Sequence, residues 1–191
     1  MVTEYCTAYF KEIKKVLDGI DLKAMEKFVD LLLRAYRKDN RIFVMGNGGS
    51  ASAASHFACD INKGACLPYI KKFKVISLSD NIPLITAYAN DLSYSEVFVE
   101  QLKNHLEPED LVIGISGSGN SANVLKAVDY ANANNAVTVG ITGFDGGRLA
   151  GKVFLSLNVG VRDMQKAEDI HLMLIHLVMQ IIQKELEANK V

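Results

Sequence analysis

Residues 44–60 read VMGNGGSASAASHFACD, and this stretch predicts a strand, a glycine-rich loop and a helix in succession. The apolar run that ends at Met45 is typical of a buried strand, and the small residues after Ser50 favour a helix. The glycines between them let the backbone approach a ligand closely. Because free N–H groups point out of the start of a helix, the loop is expected to favour an anion.

The same alternation of apolar strands and helices continues along the chain after this stretch, which predicts an α/β protein with a doubly wound, five-stranded parallel sheet flanked by helices. Ligands of such sheets bind beyond the carboxyl ends of the strands. The predicted strands are Ile42–Met45, Lys74–Leu78, Leu111–Ile115, Val137–Ile141 and Val153–Leu157. The predicted helices are Ala51–Lys63, Ile82–Tyr88, Ser95–His105, Ala122–Ala133 and a long C-terminal helix over about Met164–Ala188.

Residues 1–40 are predicted to form an N-terminal pair of helices. Apolar side chains recur there at helical spacing, Gly19 breaks the run, and Asp21 can cap the second helix. These apolar faces can cover the chain's own sheet or pack on another copy of the chain, and both interpretations stay open. The chain, residues 1–191, is interpreted as one domain.

Composition excludes several classes of protein. The chain has a net charge of −1, with 23% charged residues, so it lacks the broad basic surface expected of a nucleic-acid-binding protein. No apolar run approaches the roughly 20 residues of a membrane span, so no membrane partner is expected. Three cysteines, a small and odd number, favour a reducing, cytoplasmic location over a disulfide framework.

A second glycine- and serine-rich loop follows the third predicted strand, at residues 116–124, SGSGNSANV. The hydroxyls of Ser116, Ser118 and Ser121 can converge on one phosphate monoester. A dinucleotide site is disfavoured because the acidic residues Asp80 and Asp145 lie too far along the chain to fit that fingerprint. A sugar phosphate is therefore the favoured ligand, with ligand-free turns as the alternative.

Candidates for proton transfer or metal binding occur on two helices. His56 and Asp60 are four residues apart, a spacing that suits metal binding or acid–base chemistry. The last helix carries Glu168 and His176, and His176 is expected to lie deep among apolar neighbours, whereas His171 is interpreted as structural. Eight residues of helix rise roughly 12 Å. Glu168 and His176 can thus share a site only if the helix begins after Glu168 or two chains contribute.

The motifs taken together resemble those of the phosphoheptose (sedoheptulose 7-phosphate) isomerase family, within the sugar-isomerase (SIS) domain superfamily. The resemblance covers nearly the whole chain. The matching motifs are GNGGS at residues 46–50, HF at 56–57, Asn90-Asp91, ISGSGNSANVLKA at 115–127, ITGFDGGRLA at 141–150, and the Ile-His pairs at 170–171 and 175–176.

The resemblance implies a flavodoxin-like SIS fold and a ketose–aldose isomerase. The family converts sedoheptulose 7-phosphate to D-glycero-D-manno-heptose 7-phosphate, through an enediol, for bacterial heptose-containing glycans such as lipopolysaccharide. Its members are typically homotetramers with active sites between subunits. The resemblance therefore implies a phosphorylated-sugar substrate and a homo-oligomeric partner.

The resemblance also implies roles for individual residues. Asp60 would be the catalytic base and His176 its acid–base partner. Zinc, one ion per active site, would be held by His56, Asp60, Glu168 and His176. The implied substrate-binding residues are Asn47, Gly48, Gly49, Asp60, Asn90, Asp91, Ser116, Gly117, Ser118, Ser121 and Glu168. The Asn90-Asp91 pair on its own has a second interpretation, as an ordinary helix end.

Several of these positions depart from the family pattern. Asp60 replaces a Glu and Glu168 replaces a Gln, while Ala53 and Gly117 stand where many members have Asp and Thr. A site with two carboxylates and two imidazoles still suits zinc. Three alternatives remain: an adaptor of the replication-initiator-associating type, a sugar-phosphate sensor, and an isomerase of another phosphosugar.

Overall fold

The computed structural model of the protein describes residues 1–188 and contains a five-stranded parallel sheet in the order β2-β1-β3-β4-β5. This confirms the predicted fold class, and each predicted strand lies within two residues of an observed one. The strands are β1 (Arg41–Met45), β2 (Lys74–Ser77), β3 (Leu111–Ser116), β4 (Val137–Thr142) and β5 (Leu155–Asn158).

Helices cover both faces of the sheet, and the predicted ones are present with two differences. The predicted helix Ser95–His105 is a 3₁₀ turn, Tyr94–Glu96, followed by a shorter α-helix, and the helix after the first loop ends in a π-helix, Asp60–Ala65. Within residues 1–188, no helix is both long and apolar enough to cross a bilayer. The α-helices are α1 (Val2–Asp18), α2 (Leu22–Lys38), α3 (Gly49–Cys59), α4 (Ile82–Asp91), α5 (Val99–His105), α6 (Ala122–Ala133), α7 (Gly147–Ala150) and α8 (Met164–Ala188).

The sheet separates two apolar cores because successive strand side chains point to opposite faces. Along β1, Ile42 and Val44 face the core formed with α2, α3 and α8, whereas Phe43 and Met45 face the core formed with α5 and α6. All four side chains are fully buried. This double burial explains why the strands read as continuous apolar runs.

The two N-terminal helices differ in how far they are buried. Helix α2 begins at the predicted cap, where the Asp21 carboxylate accepts hydrogen bonds from the N–H groups of Lys23 and Ala24, and its apolar face is in the core. Helix α1 buries only Ile13, while Phe10 is 68% exposed. The core interpretation therefore holds for α2, and α1 leaves apolar surface uncovered.

The strand order places the two glycine-rich loops side by side. β1 pairs in parallel with both β2 and β3, so the chain leaves β1 and β3 toward opposite edges of the sheet. A crevice opens at such a switch point, beyond the carboxyl ends of the strands. The loops after Met45 and Ser116 flank this crevice.

Candidate active site

A cavity of about 300 Å³ lies between the two loops. Most of its lining comes from the residues after β1 and β3 that the sequence singled out, with α8 closing one side. The lining residues are Asn47, Gly48, Gly49, Ser50, Ile115, Ser116, Gly117, Ser118, Ser121, Met164 and Glu168.

The second glycine- and serine-rich loop, here called the serine loop (residues 116–121), presents three hydroxyls to this cavity. The Oγ atoms of Ser116 and Ser121 are 3.0 Å apart, and the Ser118 hydroxyl accepts a hydrogen bond from the N–H of Asn120 at 3.2 Å. Ser121 precedes the first turn of α6, and its side chain caps none of that helix's N–H groups. Serine hydroxyls and the N–H groups at the start of a helix can together bind a phosphate.

Contacts with the loop after β4 hold the serine loop in shape. The N–H of Gly143 donates to the carbonyl of Gly117 at 2.9 Å. The N–H of Leu149 donates to the carbonyl of Gly119, also at 2.9 Å. Gly119 has a φ of +65°, and a Cβ atom there would overlap the carbonyl oxygen of Gly146. A residue other than glycine would therefore distort the loop.

The Asn47 side chain is held by two residues that the sequence did not single out. Its amide makes reciprocal hydrogen bonds of 2.9 Å with the amide of Asn123, and the hydroxyl of Tyr94 donates to Asn47 Oδ1 at 2.7 Å. Asn123 comes shortly after the serine loop, but its partner is 76 residues away in the chain. No local pattern could have revealed that pairing.

Helix α8 contributes Met164 and Glu168 to the cavity. Glu168 lies over the first residue of α3, so close that a Cβ atom on Gly49 would overlap its carboxylate. A negative charge is favourable at this end of a helix. Met164, which sequence reasoning missed, occupies the space beside Gly117 that a larger residue would need.

His56, Asp60 and His176 come together at the far end of α3. The Nε2 atoms of the two imidazoles are 2.7 Å apart, and Asp60 Oδ2 lies 3.3 Å from His56 Nε2 and 3.9 Å from His176 Nε2. Asp60 is the first residue of the π-helix. Such π-helical turns frequently occur at functional sites.

The donor set of this group fits zinc. One ligand atom from each of His56, Asp60 and His176 lies within 4.8 Å of the others. Although Asp60 Oδ2 is within ion-pair distance of His56, it is buried and has no hydrogen-bond partner among residues 1–188. Two imidazoles and a carboxylate are the protein ligands of many catalytic zinc sites, which keep a position open for substrate or water.

Glu168 is not part of this group within one chain. Helix α8 begins at Met164, so the predicted alternative in which the helix starts after Glu168 is wrong. Glu168 lies in the cavity between the loops, two helical turns before His176. A four-ligand site that includes Glu168 therefore needs a second chain.

One of the two histidines of α8 departs from its predicted burial. His176 was expected to lie deep, yet 44% of its side chain is exposed, because it projects toward α3 at the edge of the core. His171 is fully buried, and neither of its ring nitrogens has a hydrogen-bond partner among residues 1–188. Burial lowers the pKa of His171, and the nearby backbone of Thr142 opposes this shift only in part.

Asn90 and Asp91 lie apart from the residues that line the cavity. They end α4, both are exposed, and the Asn90 amide donates to the Asp91 carboxylate at 2.8 Å. Within one chain they form a helix end.

Comparison with known proteins identifies close relatives over nearly the full length. The model of the SIS domain family matches residues 8–143. The phosphoheptose isomerase of Helicobacter pylori (strain ATCC 700392 / 26695) is 36% identical over 177 residues, which cover 93% of this chain and 91% of that protein. The phosphoheptose isomerase of Geobacter sp. (strain M21) is 34% identical over 92% of this chain and 91% of its own length. The solved structure of phosphoheptose isomerase GmhA from Neisseria gonorrhoeae superposes with a TM-score of 0.88, at 29% identity, over 96% of this chain and all of that one.

Proposed function

The chain belongs to the phosphoheptose isomerase family of SIS domain proteins, and we propose that it isomerises sedoheptulose 7-phosphate to D-glycero-D-manno-heptose 7-phosphate. The relatives are named for this isomerase activity and match almost the full length of the chain. The product would supply the synthesis of heptose-containing glycans such as lipopolysaccharide.

The observation that carries this proposal is the pairing of an anion-binding cavity with an acid–base group along the same two helices. Helix α3 begins in the cavity at Gly49 and reaches His56 roughly 10 Å further on. Helix α8 runs from Glu168, also in the cavity, to His176 roughly 12 Å further on. This separation suits a long substrate that carries its phosphate at one end and its reacting carbons at the other.

The reaction needs one base and one group that moves a proton between oxygens. Asp60 would remove the proton from C1, next to the C2 carbonyl, which leaves an enediolate with its negative charge on O2. His176 would carry a proton from O1 to O2, and return of a proton to C2 gives the aldose. The structure has the two side chains within 3.9 Å of each other, so both can act on neighbouring atoms.

The substrate would be held at its two ends. The hydroxyls of Ser116, Ser118 and Ser121 and the first N–H groups of α6 would bind the phosphate, and Asn47, Gly48 and Gly49 would contact the sugar chain. Asn90 and Asp91 are proposed to reach sugar hydroxyls, which requires a neighbouring chain because both lie outside the cavity of their own chain.

Zinc is the proposed cofactor, one ion per active site. His56, Asp60 and His176 would hold it, with Glu168 as the fourth ligand from a second chain. The bound ion would supply a Lewis acid that polarises the substrate carbonyl. Glu168, in place of a neutral residue, would add a negative charge to the ligand set.

A homotetramer with active sites between subunits is the proposed assembly. Apolar side chains on α1 and α8 support it, since Tyr5, Phe10 and Met173 are 44% or more exposed in a single chain. The cytoplasm is the proposed location, in keeping with three free cysteine thiols.

The proposal is tested by incubating the purified protein with sedoheptulose 7-phosphate, with and without zinc, and assaying heptose 7-phosphate. Conversion that increases with zinc is expected. Binding of the sugar phosphate without conversion under either condition would instead identify a sensor or adaptor. Conversion of a hexulose or pentose phosphate in preference would identify a different phosphosugar isomerase.

A further inference from the structure

We propose that Asn123 and Tyr94 are positioning residues that fix the Asn47 side chain as a hydrogen-bond donor toward an oxygen of the sugar. The inference rests on the proposed function, because it specifies how that substrate's sugar end is recognised. Neither residue needs to touch the substrate. Their effect would be transmitted through the Asn47 amide, which lines the cavity.

A backbone group determines which way the Asn123 amide points. The N–H of Val124 donates to Asn123 Oδ1 at 3.0 Å. A backbone N–H can only donate, so the atom that it meets must be the oxygen of the amide. The orientation of Asn123 is therefore set by the first turn of α6 and not by the ligand.

The orientation of Asn123 then determines that of Asn47. With Asn123 Oδ1 fixed, its Nδ2 must donate to Asn47 Oδ1, and Asn47 Nδ2 must donate to Asn123 Oδ1, each at 2.9 Å. The hydroxyl of Tyr94 adds a second donor to Asn47 Oδ1 at 2.7 Å. A flipped Asn47 would set its Nδ2 donor against Asn123 Nδ2 and its Oδ1 acceptor against Asn123 Oδ1, so both bonds to Asn123 would be lost.

A count of hydrogen-bonding capacity shows what remains for a ligand. An amide oxygen accepts two hydrogen bonds, and Asn47 Oδ1 already accepts two. The amide nitrogen donates two, and one is given to Asn123. Among residues 1–188 no acceptor takes the other N–H, so Asn47 can offer a ligand only a donor. That suits a hydroxyl or carbonyl oxygen of a sugar.

Burial makes this arrangement rigid. Asn123 is 2% exposed, so water cannot compete for its amide. Tyr94 is 56% exposed and reaches Asn47 from the 3₁₀ turn, Tyr94–Glu96. Changing Tyr94 thus tests the network without opening the core, while changing Asn123 tests it at its centre.

Two substitutions separate positioning from folding. Asn123→Asp keeps the shape and the bond from Val124 but sets a carboxylate oxygen against Asn47 Oδ1. Tyr94→Phe removes only the hydroxyl. The control variants are Asn132→Asp, at the far end of α6, and Ser93→Ala, beside the 3₁₀ turn. Thermal unfolding of all four variants shows which of them retain the fold.

Affinity is measured by titration calorimetry with two probes. The dissociation constant of sedoheptulose 7-phosphate is expected to rise about fivefold in Tyr94→Phe and by roughly tenfold or more in Asn123→Asp. The cause in both variants is that the Asn47 donor is no longer held in its orientation. In Tyr94→Phe the dissociation constant of inorganic phosphate should stay within about twofold of wild type, because the serine loop keeps its donors and no charge is added. Equal effects on both probes, or none on the sugar phosphate, would overturn the proposal.

A substrate-free measurement keeps this proposal distinct from the proposed function. The Asn47 side-chain N–H pair, assigned in NMR spectra by its loss in Asn47→Asp, should show one proton that exchanges slowly with water, and Tyr94→Phe should speed that exchange. Exposed Asn104 is the reference. Fast exchange at Asn47 in the wild type would overturn the positioning role, whichever sugar phosphate the protein turns over.

Discussion

Asp60 lies where α3 changes into a π-helix, and its carboxylate lies close to two histidines. One of them, His56, is one turn earlier on the same helix, but the other, His176, comes from a helix 120 residues away from His56. The side chain is largely buried and its Oδ2 atom has no hydrogen-bond partner among residues 1–188. A buried carboxylate oxygen of this kind is costly unless it serves a ligand.

Asp60→Asn is expected to lower turnover of sedoheptulose 7-phosphate by about 100-fold or more, because an amide cannot accept the proton. Binding of the sugar phosphate should change by only a few-fold, roughly, since the phosphate contacts lie elsewhere. Steady-state kinetics and calorimetry measure the two effects. Asp129→Asn, at an exposed ion pair with Lys152, is the control. Wild-type turnover in Asp60→Asn would rule out Asp60 as the base.

His171 is expected to make stability depend on pH. Burial lowers its native pKa below the ordinary value of 6.5. At pH values between the lowered native pKa and 6.5, the unfolded state binds more protons than the native state. The contribution of the neutral His171 to the free energy of unfolding is therefore complete above pH 6.5. It is lost as the pH falls toward the native pKa, by up to about 1.4 kcal/mol per pH unit.

Urea unfolding at several pH values checks this expectation. His171→Leu should flatten the pH dependence of stability below pH 6.5 relative to the wild-type protein. Identical slopes in wild type and His171→Leu would mean that the native imidazole protonates as readily as a free one.

The loop between β3 and α6 and the loop between β4 and α7 form one interlocked element at the carboxyl edge of the sheet. Glycines pack directly on backbone across this contact: Gly119 on Gly146, and Gly147, the first residue of α7, on Ser118. The serine hydroxyls are therefore positioned by a neighbouring loop as much as by their own. Phosphate affinity should depend on this packing.

Gly119→Ala is expected to destabilise the protein by about 2–4 kcal/mol, because the new methyl group would overlap the Gly146 carbonyl and alanine disfavours a positive φ. Inorganic phosphate should also bind more weakly. Gly151→Ala is the matched control, since the φ of Gly151 is −83° and its Cβ would lie 3.9 Å from the nearest atom, the Arg148 carbonyl oxygen. Denaturant unfolding measures the stability and phosphate titration measures the affinity. Equal stability of the two variants would contradict the close packing of Gly119 on Gly146.

The molecule exposes apolar surface that residues 1–188 of its own chain do not cover. A groove of about 390 Å³ runs between α2 and α8, with Met25, Leu177 and Ile181 among its lining residues. Helix α1 adds exposed Tyr5 and Phe10. Such patches mark interaction sites, and a second copy of the chain is the occupant that the proposed assembly requires.

Leu177→Glu is expected to dissociate the proposed oligomer, because a carboxylate would be buried in an apolar contact. Turnover should fall with dissociation if the sites lie between subunits. Sedimentation velocity measures the assembly, with Phe154→Glu, an exposed apolar residue outside the groove, as the control. A wild-type protein that sediments as a monomer would refute the tetramer.

Local chemistry explains why the fold could be predicted from the sequence. The apolar strands, the N-cap at Asp21 and helix α6 depend on residues close together in the chain, and all appear as predicted. The glycine-rich loops likewise indicated an anion site, since loop and helix start are contiguous. The strand order, and hence the meeting of the two loops, had to come from packing of distant segments.

The sequence by itself determined the alternation of strands and helices, the two glycine-rich loops and the His56–Asp60 spacing, because these follow from propensity and helix periodicity. Only the tertiary structure decided that His176 faces His56 while His171 is buried, since helix rotation depends on what each face packs against. It likewise decided the pairing of Asn47 with Asn123. Contacts between distant segments depend on how the whole chain packs, and no local pattern records them.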